Sequence, residues 1–143
     1  MITESHLELV RTKGSKFGRF LMGLLFFVSG LSMLLTMGPA AVGGWLASLG
    51  VPLAGVMAWL VIIVKIGAGG SLMIGRYVVH ASAILILFTL IATLLAHMDF
   101  ADPEQMTQAL KNLAIVGGLL YIMAFGPGGM NIKEVKASSS DMM

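Results

Sequence analysis

The sequence predicts an all-α integral membrane protein, an up-down bundle of four transmembrane helices with both termini cytoplasmic. Three observations predict it. The 143-residue chain is 57% hydrophobic and only 11% charged, with a mean hydropathy of +0.93, whereas soluble domains carry roughly 25% charged residues. Four apolar runs each have about the length that crosses a hydrocarbon core ~30 Å thick at about 1.5 Å per residue. The positive charges gather on alternate connections. A water-soluble domain of this size leaves too much surface exposed to hide so many apolar side chains.

The first span is expected over about 17–37 (FGRFLMGLLFFVSGLSMLLTM), led by Arg19. A signal peptide competes for this segment, because Arg11, Lys13, Lys16 and Arg19 form a basic lead and small residues follow at 38–44. The apolar run exceeds the roughly 7–15 residues of a signal core, so an uncleaved span is the expectation. The second span, about 53–74, follows Pro52, and the third, about 77–97, follows after only Gly75 and Arg76, a tight antiparallel hairpin. The fourth is expected over about 106–125 and stops at the breaker Gly126-Pro127-Gly128-Gly129. No period-two strand pattern competes.

Orientation follows from charge. The N-terminal segment (1–16) with Arg19, the second connection with Arg76, and the tail (128–143) with Lys133 and Lys136 fall on one side of four alternating helices. The other side has a charge-free loop at 38–52 and an acidic loop with Asp99, Asp102 and Glu104, with Lys111 as its one lysine. The positive-inside rule places the basic side, and both termini, in the cytoplasm. The first outer loop is too short to span, but Trp45, Leu46 and Leu49 share a face of a short helix expected to lie at the interface or dip into the bundle mouth. The tail reads as polar and poorly ordered.

Lipid gives helices no hydrophobic reason to associate, so small residues are expected at their contacts. Gly67, Ser71 and Gly75 recur every fourth position of the second span, with Ala58, Ala68 and Gly69 on the other side, and this span is expected to be central. Ala114 and Gly118 repeat the device in the fourth.

Lys65 is the most informative residue. It lies near mid-span, about 16 Å along the helix from Arg76, at a depth where a charge costs a few kcal/mol, about 3 on insertion scales. No Asp or Glu occurs between Glu8 and Asp99. Three readings stay open: the lysine snorkels to headgroups, bonds hydroxyls such as Ser29 or Ser32, or meets an external acid, anionic lipid or quinone carbonyl. His80 and His97 sit at opposite ends of the third span, too far apart for paired haem ligation, and read as interfacial. His97, Asp99, Lys111 and Asn112 are candidates for a polar cluster at the outer mouth, with solvated loop charges as the alternative. Absence of cysteine removes disulfides, thiolate metal sites and covalent haem. No nucleotide, zinc-protease, serine-hydrolase or calcium motif occurs. The pI of 9.2 reflects scattered topology charges rather than a nucleic-acid surface.

In order along the chain come the arginine-led first span with Gly23, Phe27 and Gly30, WLASLGVP at 45–52, KIGAGGSLMIG at 65–75, FTLIATLLAH at 88–97, KNLAIVGGLL at 111–120 and GPGG at 126–129. This set resembles the DoxX family of small four-helix bacterial membrane proteins over about 19–127. Two positions depart from the family pattern. Met33 stands where members usually have a lysine, and Lys65 where they usually have a glutamate. The resemblance implies a multi-pass protein of the bacterial inner membrane, near quinone-linked redox assemblies such as terminal quinol oxidase or thiosulfate:quinone oxidoreductase.

The expected role is an accessory or anchoring subunit of such an assembly, without chemistry of its own and without covalently bound cofactor. Its expected partners are membrane lipids and other membrane subunits or further copies. The first alternative is a quinone- or lipid-binding oxidoreductase subunit with a site near Lys65 or the outer mouth. A small oligomeric transporter or channel is the third, and it lacks the inverted repeat that such proteins often show.

Overall fold

The computed structural model describes residues 1–128, and the tail with Lys133 and Lys136 lies outside the described residues. The described chain is helical with no strand. Helix α1 runs Glu4–Met37, α2 Pro39–Ser48, α3 Ala54–Ile74, α4 Val78–Ala96 and α5 Pro103–Phe125. Helices α1, α3, α4 and α5 are long and apolar enough to cross a membrane. The span ends expected from sequence agree closely in α3 and α4. The two other spans start earlier than expected, for separate reasons.

Helix α1 carries no breaker between its basic lead and its apolar run, so residues expected to form a separate segment join one continuous 34-residue helix. It widens into single π-helical turns at Val10–Gly14 and Met33–Met37. It ends at Gly38, whose φ of +81° few side chains tolerate. Helix α5 starts at Pro103 because Asp102 caps it, its carboxylate accepting from the Glu104 N–H at 2.9 Å. Proline in the first turn is pre-set for a helix and lacks only a donor that would be free anyway.

The helices alternate in direction. Arg19 near the membrane entry of α1, the α3–α4 turn at Gly75 and the residues after α5 all meet at one end. There the Arg19 guanidinium donates to the carbonyls of Leu72, Met73 (3.3 Å) and Pro127 (2.9 Å). The first two are carbonyls at the C-terminal end of α3, which no later turn of that helix can satisfy. Gly75 closes α3 with φ +78°, and a Cβ there would meet the Arg19 guanidinium at 2.9 Å. The sequence marks Arg19 only as a topology charge; it is also a clasp.

Helix α3 is central, touching α1, α2 and α4, and its contact with α1 is the most extensive in the molecule. That contact uses glycines other than the stripe expected. Gly69 of α3 and Gly23 of α1 lie backbone to backbone. A Cβ on Gly69 would fall 2.7 Å from the Phe27 nitrogen, and one on Gly23 2.6 Å from the Gly69 carbonyl oxygen. Gly30 repeats the approach one heptad on, against the Cβ of Lys65 at 2.8 Å. Gly67 is a correction to the expected stripe: it points out of the bundle, and a Cβ there would meet nothing within 4 Å. The roughly 100° step per residue places 67 and 69 on different faces, and α1 packs on the latter. Ser71 contributes its carbonyl to closing α3. Ala114 is likewise exposed, whereas Gly118 lies under the Met22 methyl.

The core has two parts. Phe26, Leu72, Val78, Ala81, Leu85, Ile115 and Leu119 pack at the Arg19 end. Val42, Leu46 and Ala58 form a smaller cluster where α2 folds back on the start of α3. We expect Gly69→Ala to lower stability by about 1–3 kcal/mol or more, since backbone rather than a flexible side chain must move. Gly67→Ala should stay within about 0.5 kcal/mol of wild type. Thermal unfolding of the two variants in mild detergent checks both, and equal effects would refute this packing.

Candidate functional site

Between the two core clusters the four membrane helices leave a cavity of about 620 Å³. Its walls are chiefly aliphatic, and its polar groups lie at two levels. Lys65 of α3 stands at the inner level, and His97, Gln108, Lys111 and Asn112 stand at the mouth beyond α2.

Lys65 is 8% exposed. Its Nζ donates to the Ser29 hydroxyl of α1 at 2.7 Å and approaches the Met33 sulfur at 3.8 Å. It also lies 5.5 Å from the centroid of the Phe88 ring on α4, within cation–π range. The backbone crossing explains the position. Gly30 admits α3 closely enough for Lys65 to pass α1, and its ammonium then reaches Ser29 just before that glycine and Met33 about one turn after it. Of the hydroxyls expected, Ser29 is the partner. Ser32 is exposed, three residues on and turned out of the bundle. Met33 of α1 and Lys65 of α3 thus face each other across the helix crossing.

At the mouth the structure brings together three of the four expected residues. His97 ends α4, and its ring Nδ1 is buried without a hydrogen-bond partner. Asn112 donates to the Thr93 hydroxyl at 2.9 Å, and Thr93 in turn donates to the Thr89 carbonyl at 2.7 Å. Lys111 donates to Gln108 one turn back on α5. Asp99 does not join them, a correction to the expected cluster. It is exposed and builds the α4–α5 turn, its carboxylate accepting from Ala101 N–H at 3.2 Å while its own N–H donates to Gln105. An aspartate bonds its own turn more readily than a distant lysine.

Sequence reading missed Gln108, Thr93 and Phe88. Thr93 and Phe88 look like ordinary span residues, and Gln108 gains meaning only from the packing of α5 on α4. His80 is exposed one turn into α4, away from the cavity. Among the described residues no three His, Asp or Glu side chains converge. The site therefore offers an ammonium, an imidazole, amides and hydroxyls in apolar walls, groups that bind and orient a polar head beside a hydrocarbon tail. We expect Ser29→Ala to cost about 1–2 kcal/mol with Lys65 present and close to nothing in a Lys65→Met background. A double-mutant cycle read by thermal unfolding checks this, and additive effects would show that the bond contributes nothing.

Comparison with known proteins agrees with this architecture. Residues 14–98 match the DoxX family. The inner membrane protein YqjF of Escherichia coli (strain K12) is 32% identical over 117 residues, covering 82% of this chain and 87% of that protein. No solved structure matches the chain. With four spanning helices and these relatives, the chain is a multi-pass inner membrane protein and belongs to the DoxX family.

Proposed function

We propose that this protein is a ligand-holding subunit of a membrane redox assembly. It takes a tail-bearing membrane molecule, a quinone or a lipid, into the bundle cavity and performs no chemistry of its own. One observation carries the reading: a cavity within the size range of small-molecule sites, chiefly aliphatic, with a buried ammonium at its inner level and polar groups at its mouth. The cavity is reached from the bilayer. Leu60 of α3 and Leu87 of α4 both line it, and they are 51% and 61% exposed. The redox setting rests on the family resemblance alone.

A second reading, an anchoring subunit whose Lys65 pairs with an acid of a partner, is favoured by the lack of any carboxylate between Glu8 and Asp99. Native purification in mild detergent, followed by mass spectrometry of both lipids and proteins, separates the two. A stoichiometric quinone or lipid, reduced when Leu87→Trp narrows the portal, supports the first. An empty bundle in a stoichiometric complex, lost on Lys65→Met, supports the second. A bundle that carries neither ligand nor partner would sink both.

The reading keeps the N-terminal segment and Arg76 on the cytoplasmic side, as the charge bias predicts. Because the chain is free of cysteine, single cysteines report this directly. In intact spheroplasts an impermeant maleimide should label Ala101→Cys and leave Thr12→Cys untouched until lysis. The reverse pattern would invert the topology.

A further inference from the structure

The charge of the cavity narrows the choice of occupant. Among the described residues its wall carries Lys65, Lys111 and His97, and no Asp or Glu. The nearest acid in sequence, Asp99, is committed to its turn. A lysine ammonium has three N–H donors. Ser29 takes one, Met33 offers only a weak sulfur acceptor and Phe88 only a ring face. Among the described residues the charge itself meets no opposite charge, in a medium where Coulomb terms are poorly screened. A neutral carbonyl would add an acceptor and leave that imbalance in place. An anion would remove it.

The anion must also fit the rest of the site. A carboxylate is small and carries one charge, matching one ammonium. The cavity of about 620 Å³ does not enclose a two-chain phospholipid with its headgroup. The exposed portal between Leu60 and Leu87 gives one hydrocarbon chain a way out into the bilayer. Lys111 and the unpartnered His97 ring at the mouth add positive field and a free polar atom, not competing acid.

We propose that the cavity binds a single-chain carboxylate amphiphile, of the long-chain fatty acid class. Its head meets Lys65 and Ser29, and its chain leaves between α3 and α4. This rests on the amphiphile-holding reading above and names the class of occupant.

Trp45 lines the cavity and Trp59 does not, so Trp59→Phe leaves one internal reporter in a chain with two tryptophans. The full-length Trp59→Phe protein in phosphatidylcholine nanodiscs is titrated with dibrominated stearic acid, with the matching dibrominated alcohol, and with decylubiquinone, reading Trp45 quenching. The acid should bind at least about tenfold more tightly than the alcohol, and Lys65→Met should bring the two together. Lys65→Gln, which keeps a polar group, provides the same comparison should the methionine variant fold poorly. Equal binding of acid and alcohol, or tighter binding of the quinone analogue, overturns the proposal and leaves the amphiphile-holding reading intact. A preference for the acid that survives both Lys65 variants overturns the placement of its head. Binding of none of the three overturns both readings.

Discussion

The backbone contact between Gly23 and Gly69 is the constraint on which the remaining structure depends. In a bilayer, helix association draws on close van der Waals packing because hydrocarbon on either side is equally apolar. Two glycines supply that closeness. Once they fix the crossing, the antiparallel course of α1 and α3 sets every later pairing. Gly30 must then face the stem of Lys65, and Ser29 and Met33 must flank its ammonium. The lysine is buried as a consequence of helix packing, and its hydroxyl partner arrives with the same geometry.

The bundle is dense at one end and open in the middle. Leucine, isoleucine and phenylalanine from four helices close the Arg19 end. The opposite end is stoppered by α2, which buries Val42 and Leu46 on Ala58. This division leaves the hydrogen-bonded lysine between two packed regions. It also places the polar mouth residues on α4 and α5, helices that pack well on each other, while exposed lining residues such as Leu60 and Leu87 lie on α3 and α4, which touch less.

Much of this was legible in the sequence because the bilayer imposes simple lengths. Helices α3 and α4 run between the caps Leu53 and Gly75, and Tyr77 and His97, close to the span ends counted from the apolar runs. The depth and isolation of Lys65 could be read by counting residues and looking for carboxylates. Rotation was harder to read. GAGGS offers small residues on several faces, and composition alone does not say which face meets α1, so Gly67 was expected where Gly69 does the packing. The mouth shows the same limit. His97, Lys111 and Asn112 line one cavity, but Asp99 turns to its own loop because a local bond of two residues' reach forms more easily than one across the mouth.

The Arg19 clasp sets an order on how the molecule comes together. Its side chain bonds a carbonyl 108 positions away, beyond the last membrane helix. The α3 carbonyls that Arg19 also bonds lie 53 and 54 positions on, so they are synthesised well before residue 127. The final bond forms when the fourth span is in place, and it ties the end of the bundle to its beginning. One side chain near the start of the chain is thus completed only by backbone made after the last membrane helix.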